Sequence, residues 1–545
     1  MRASIIILLF FLIPVAAASS TIDILSVSES EDRLGGVATA SLSTRSGSGA
    51  VFIDSYPLTR IDTQLSARFA RLYACSLAGV DCSQVDFFYT LRAGSSIIGG
   101  PSAGAALTVL SYAELTGLPI DRSTTITGTI TGSGLIGPVG GIEQKVLAAE
   151  RNGFSRVLVP SVELHLASNT SSIEVVGVSS VEEAIFYFTG KDVSHPYTEI
   201  IVPDEYTAQM ADVALQLCER SSSLKQQVSN VSSRVDEWLI SSARAAASEK
   251  YYSAASFCFS SNLRLQEQLL DNRSQDHLRS IMNQLRSDIE FFDASLPSEF
   301  SSVADFEVYM VVRERLLDSF DVLEAQDVRN ISSSRLAYAV ERFSSAVAWS
   351  SFFGVIDSPA LDLDEQWLRQ SCSQQSLAAQ ESVNYVSFIL GSSLEDVHRD
   401  VRTALEYQRQ GEWALCIWSS LKARAQAEAI TTVAFAGDFL NETVALKHER
   451  AGQSVAAASA RGLFPVMSYA YFEYAGEVED VFSKNLYSEY SLSLSMLDLY
   501  RGAPSSLFRV DSSRVLLLVF GIIIGVCLGV LGLSARSFYT SRRKK

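Results

Sequence analysis

Positive charge is in short supply in this 545-residue chain, where 44 Lys and Arg stand against 61 Asp and Glu for a formal charge of -17. A protein that grips nucleic acid usually presents a basic face, so this balance argues against a nucleic-acid partner. Histidine is scarcer still. The five present (His165, His195, His277, His398 and His448) are dispersed and join no recognisable Ser-His-Asp set. With no H-E-x-x-H and no clustered carboxylates, the sequence points to neither a metal nor a cofactor. A G-x-x-x-x-G-K-[ST] phosphate loop is also absent, since Gly190-Lys191 has Ile185 where the first glycine should stand. Glycine is missing altogether from Lys191 to Phe353, and proline is sparse up to Pro504. That stretch is expected to form long helices.

What is present is ample apolar material. Hydrophobic residues make up 47% and charged residues 19%, enough for real cores, and at ~150 residues per domain the length allows three or four domains. The ends are apolar. Met1 and Arg2 precede a run from Ile5 to Val15 and then Ala16 to Ala18, which reads as a signal peptide over 1–18. Val515 to Leu533 carries no charge or proline, and the expectation is a single C-terminal transmembrane helix over 515–535. Arg536, Arg542, Arg543, Lys544 and Lys545 follow it and would form a cytoplasmic basic tail, 536–545, with everything upstream outside the cytoplasm at the cell membrane. Gly521, Gly525 and Gly529 repeat at four-residue spacing there, a pattern that lets a second such helix approach.

Five of ten asparagines lie in Asn-x-Ser/Thr sequons (Asn169, Asn230, Asn272, Asn330, Asn441), in keeping with export. Cys75 and Cys82 are near enough in sequence to close a small loop, and the sequence leaves open whether they bridge or stay as two buried thiols. Cys218, Cys258, Cys372 and Cys416 are too scattered for a zinc site.

Between the ends the texture changes once. Residues 22–200 mix strand-like runs (Ile22–Val27, Val37–Leu42, Val51–Ile53, Val85–Leu91, Thr124–Ile130, Arg156–Val159) with helical patterns starting near Asp62 and Ser102 and closing near Val181–Phe188. That order implies an α+β domain. Residues 204–508 read as an all-α domain. Gly411-Glu412-Trp413 before an Ala-rich helix hints at helical repeats, yet no fixed period appears, which favours an irregular bundle.

The chemistry concentrates between Gly99 and Pro160. Gly99-Gly100-Pro101-Ser102-Ala103-Gly104 opens onto a stripe of Ala106, Leu107, Leu110 and Ala113, placing Ser102 at a helix N-terminus. A plain cap, a phosphate cradle and a nucleophile all suit such a serine. A second helix would align Ile142, Lys145, Val146 and Ala149 on one face. A lysine in an apolar stripe either snorkels outward or is buried and loses charge, and a neutral amine can take the proton of a serine hydroxyl.

Gly100-Pro101-Ser102-Ala103-Gly104, Ile126-Thr127-Gly128-Thr129-Ile130, Gly137-Pro138-Val139-Gly140-Gly141, Lys145 with Leu147-Ala148-Ala149, and Arg156-Val157-Leu158-Val159-Pro160 resemble, in order, the proteolytic domain of the Lon protease family. The likeness is sharp over about 85–190 and absent from the helical part. It resembles the exported, membrane-anchored archaeal relatives more than the cytosolic enzymes. The resemblance implies a Lon-type α+β proteolytic domain with Ser102 as nucleophile, Lys145 as general base and then general acid, and Thr127 orienting the lysine. Backbone N–H groups of Gly100 and Ser102 would hold the oxyanion, and subunits would form a ring, usually of six. Many bacterial relatives carry an acidic residue three before the serine, where this chain has Gly99.

The expected activity is an ATP-independent, membrane-anchored serine endopeptidase of the Ser-Lys type acting on unfolded or flexible polypeptides outside the cytoplasm. The alternatives are a catalytically inactive, protease-like binding or scaffold protein and a phosphotransferase that uses the glycine-rich loop.

Overall fold

The computed structural model describes residues 20–27, 34–94, 100–167, 172–194, 199–297, 300, 302–357, 365–391 and 394–497. Nine strands come from the first part of the chain: β1 (Ser20–Val27), β2 (Gly35–Ser46), β3 (Val51–Tyr56), β4 (Val85–Ala93), β5 (Thr124–Ile126), β6 (Thr129–Ile130), β7 (Ile136–Gly137), β8 (Arg156–Pro160) and β9 (Glu174–Val178). Five helices accompany them: α1 (Ile61–Ala78), α2 (Gly104–Thr116), α3 (Ile142–Arg151), α4 (Leu164–Ala167) and α5 (Val181–Thr189).

Seven strands form one mixed sheet in the order β3-β4-β2-β1-β5-β8-β9, and β6 and β7 make a separate antiparallel hairpin. The sheet is antiparallel across β1-β2-β4 and parallel across β1-β5-β8-β9. Side chains that alternate along a strand serve two cores. Ile22 and Ile24 of β1 and Leu158 of β8 pack with α1, α2 and α5, while Leu25, Val157 and Val159 pack with α3 and α4. Helices therefore cover both faces of a partly parallel sheet, an α/β arrangement more layered than the α+β plan expected from the sequence.

Helix α2 runs through the middle of this domain with eleven of its thirteen residues buried. The expected one-sided stripe is thus an all-round apolar surface, as suits a helix enclosed by its neighbours.

From Asp204 to Ser495 the described residues form twelve helices, from 12 to 26 residues long. A main core runs from Tyr206 to Leu497, with smaller ones around Val383 and Val401 and around Leu224 and Leu265, so this is an irregular helical bundle. It docks on the α/β domain through polar contacts of low exposure: Arg450 Nη2 lies 2.6 Å from Tyr73 Oη and pairs with the buried Glu182 carboxylate. Gly132 N–H, in the β6–β7 turn, donates to Glu428 Oε2 at 3.2 Å.

The plan read from the sequence needs correction at its C-terminus. No helix among the described residues is long and apolar enough to cross a membrane, so the fold described is an α/β domain followed by a helical domain without the expected transmembrane helix. Even the apolar helix Trp413–Ala436 carries Lys422, Arg424 and Glu428 and is buried by other helices. The segment 515–535 lies outside the described residues, as do 1–18 and 536–545.

Pairing of the cysteines, left open by the sequence, is given by the structure. Cys75–Cys82, Cys218–Cys258 and Cys372–Cys416 form three disulfides. The last two clamp pairs of helices across sequence separations of 40 and 44 residues, which is why spacing alone carried no signal. A cross-link of that span removes unfolded-chain entropy worth about 2 to 4 kcal/mol. Replacing Cys372 and Cys416 together by Ala is expected to lower the urea unfolding free energy by about that amount, as followed by circular dichroism.

Candidate active site

Ser102 lies in a single tight turn, Pro101–Ala103, that feeds directly into α2. Two glycines make the turn possible. Gly100 has φ 99°, a conformation that side chains disfavour. At Gly104 a Cβ would stand 2.5 Å from the Ile130 side chain, so only glycine lets α2 start this close to β6.

The turn is fastened to the strand beside it. Gly128 N–H donates to Ser102 O at 3.0 Å, Ala105 N–H donates to Gly128 O at 3.1 Å, and Thr127 N–H continues the sheet by donating to Leu158 O at 3.0 Å. Ser102 and Thr127 are thereby held on adjoining backbone. The Thr127 side chain is fully buried, and its hydroxyl has no hydrogen-bond partner among the described residues. An orphaned buried hydroxyl costs free energy, so it is a group in want of a partner at this place.

Lys145 comes from α3, on the sheet face opposite α2. It is 3% exposed, and Ile142, Val146 and Ala149 of the expected stripe are buried with it. Loss of hydration lowers the amine pKa to about 8, and the nearby Glu163 carboxylate opposes that shift. Glu163, itself 4% exposed, accepts Val139 N–H at 2.8 Å, and burial raises its pKa to about 7. Among the described residues no hydrogen bond joins the Ser102 hydroxyl to the Lys145 amine. Catalytic hydrogen bonds in ligand-free structures are often long and tighten only around substrate.

Gly100 is engaged through its backbone. Its N–H donates to Asp62 Oδ2 at 2.9 Å, so a carboxylate already occupies one of the two donors assigned to the oxyanion. Asp62 opens α1, and its other oxygen accepts from Thr63 N at 2.7 Å. Thr63 Oγ1 and Ser66 Oγ then approach the carbonyls of Gly100 and Pro101, each at 3.4 Å. The first turn of α1 is in this way a brace for the serine loop. Neither Asp62 nor Glu163 was singled out in the sequence. An acidic residue at a helix start is an ordinary capping signal, and Glu163 falls three residues past the end of the Arg156–Pro160 motif.

Other candidates fall away. His165 packs edge-on against Phe439, and His448 stacks on Phe472 with its pKa lowered by burial to about 4. His195, Asn169, Gly99 and Cys527 lie outside the described residues. No group of three or more metal-ligating side chains occurs among the described residues. A cavity of about 690 Å³ runs along the seam between the domains past Cys75–Cys82, but Ser102, Thr127 and Lys145 do not line it.

The α/β domain thus holds a tight serine turn set between glycines and a buried lysine of lowered basicity. Residues 78–184 match the C-terminal proteolytic domain of Lon protease (S16), so the resemblance read from the motifs holds over this segment. The Lon protease of Azorhizobium caulinodans is 32% identical over 120 residues, 20% of this chain and 14% of that protein. The Lon protease of Rhizobium meliloti is 37% identical over 91 residues, 16% and 11% of the two chains. An archaeal Lon protease from Methanocaldococcus jannaschii is 29% identical over 106 residues, 19% and 16%. The chain spans about one seventh of the length of these curated relatives, and the likeness is to their proteolytic part, which is of the serine peptidase type.

The environment of Lys145 can be checked directly. With ¹³C-labelled lysine, the Lys145 Cε resonance is expected to titrate near pH 8, well below the ordinary lysine value. Glu163→Gln removes the charge that opposes the shift, so the midpoint should fall further.

Proposed function

We propose that this protein is an ATP-independent serine endopeptidase that cleaves unfolded or flexible polypeptides outside the cytoplasm, using Ser102 and Lys145. The observation that carries the reading is the buried Lys145, whose amine loses its proton near pH 8, on a domain similar to Lon proteolytic domains. In this mechanism the Ser102 hydroxyl attacks the peptide carbonyl and passes its proton to the neutral Lys145 amine. The tetrahedral oxyanion is held by the N–H of Ser102 and by that of Gly100 once Asp62 releases it. Collapse breaks the C–N bond, and Lys145 returns the proton to the leaving amine. Water, deprotonated by the same lysine, then hydrolyses the acyl-enzyme. Thr127 is the residue proposed to orient Lys145, its buried hydroxyl being available to accept from that amine.

Two observations support the compartment and the energy source. Three disulfides persist where the surroundings are oxidising. The chain holds no G-x-x-x-x-G-K-[ST] loop, in keeping with hydrolysis that draws on no nucleotide and so takes substrates that need no unfolding. Self-association into a ring is part of the same proposal.

Incubation with casein in the absence of ATP is expected to give peptides. Ser102→Ala and Lys145→Ala should each reduce the rate by at least ~10³-fold with the fold intact by circular dichroism. Equal rates in either variant would overturn the mechanism. Since only the neutral amine accepts a proton, kcat/KM should rise with pH through about 8, and the Glu163→Gln inflection should lie lower.

A further inference from the structure

Three asparagines far apart in sequence, Asn230, Asn272 and Asn330, each with a serine at the second position after it, meet at one end of the helical bundle. We propose that this end is a glycan-bearing surface, each of the three side-chain amides accepting an oligosaccharide from a lipid-linked donor. The proposal rests on the placement of the bundle outside the cytoplasm and adds a modification to it.

Tertiary packing makes the convergence. Asn230 lies between the helices Asp204–Gln227 and Ser233–Ala247, and Asn272 caps the C-terminus of the helix Tyr251–Asp271. Leu224, Val235 and Leu265 form a small core there, with Val228, Val231 and Leu269 against it, so the Asn230 turn and the end of Tyr251–Asp271 share one patch. The turn that carries Asn330, between Val303–Glu324 and Ser333–Ser350, is stitched to the same place. Gln275 exchanges hydrogen bonds of 2.8 and 3.3 Å with the Ile331 backbone, Arg279 Nε donates to Val328 O at 3.2 Å, and Ser333 Oγ donates to Asp271.

Turns favour Asn and helix starts favour Ser, so the motif also arises where no sugar is attached. Ser274 and Ser332 do cap helices, accepting from His277 N–H and Arg335 N–H at 3.4 Å each. A modification site needs, besides the motif, an amide in open solvent. All three asparagines are exposed. Beside them Val231 packs on the small core and Ile331 is buried, which anchors the chain while the asparagine stays outside. Among the described residues Asn230 and Asn330 make no side-chain hydrogen bond, and Asn272 makes one long bond, 3.4 Å, to Gln268 O.

Asparagines without the motif are placed differently. Asn152, Asn262 and Asn485 use their amides on Ala148 O, Leu217 O and Ala429 O at 2.8, 2.9 and 2.8 Å, and Asn283 and Asn384 lie mid-helix. Asn441 has the motif but stands apart, just after the Phe439 that packs on His165 near the domain seam. Docking to the α/β domain uses Glu381, Glu428 and Arg450 on other helices. Bulky, hydrated sugars on the three-asparagine end therefore leave the serine turn clear and keep that end from packing on another protein.

In the transfer, Asn Nδ2 bonds to the anomeric carbon of an oligosaccharide held on a polyprenyl phosphate. The bond from that carbon to the phosphate oxygen breaks, the amide gives one proton to a base of the transferase, and the lipid phosphate leaves.

The test expresses the full-length protein in a host that exports and N-glycosylates proteins, and maps its peptides by mass spectrometry. Glycan mass is expected on Asn230, Asn272 and Asn330. Asn230→Gln, Asn272→Gln and Asn330→Gln should each remove one glycan unit from the intact mass, and the triple variant should cleave casein as wild type does. Two or more of the three left bare in exported protein, or glycan confined to Asn169 and Asn441, overturn the surface and leave the peptidase reading standing. Protein retained in the cytoplasm with Cys218 and Cys258 reduced overturns the placement of the bundle and the surface with it.

Discussion

An ammonium group removed from water is the constraint around which this site is built. Helix α3 presents Lys145 on the same face as Ile142, Val146 and Ala149, and packing that face against β1, β2 and β8 buries all four together. The helix cannot satisfy its apolar residues without dehydrating the lysine, so part of the packing energy is spent in lowering the basicity of one amine. Glu163 limits how far this goes, since it is buried alongside and its charge favours the protonated form. Opposed in this way, desolvation and a single carboxylate leave the amine titrating near neutrality, the range in which a general base is most useful.

The serine side of the site is built from backbone. Gly100 and Gly104 permit a turn that no other residue would fit, and hydrogen bonds from Gly128 and to Asp62 hold it from two directions. Because α1 supplies Asp62, Thr63 and Ser66, the brace comes from some forty residues upstream. The helical bundle is fastened to the same domain by Arg450 on Glu182 and Tyr73, and by Glu428 on the β6–β7 turn. Two parts of the chain with unrelated textures therefore meet along α1, α5 and the β6–β7 turn.

Much of this was legible in the residues. Alternation placed most of the strands, as with Ile22 and Ile24 against Leu25, and the stripe on α3 put Lys145 among apolar residues while leaving open whether it snorkels outward or is buried. The strand expected over Thr124–Ile130 is broken after Ile126: Thr127 N–H still bonds Leu158 O, but Gly128 turns its N–H to Ser102 O before β6 begins. Helix α2 read as one-sided although it is enclosed, since periodicity cannot tell a helix with two apolar neighbours from one with four. Pairing of Cys218 with Cys258 and of Cys372 with Cys416, and the buried pair Lys447–Glu489 in the bundle, left no mark in the sequence. Each joins residues that only helix packing brings near. The apolar run at 515–535 marks the opposite case, a sequence pattern with no counterpart among the described helices.

By itself the sequence determined the local setting of the candidate residues Ser102 and Lys145, because a glycine-rich turn before a helix and a lysine in an apolar stripe are consequences of spacing within a few turns of chain. Only the tertiary structure decided what surrounds them: the carboxylate on Gly100 and the companion of Lys145. Those partners lie far away in sequence, and their approach depends on how whole faces of helices and sheet bury one another, which no local pattern encodes.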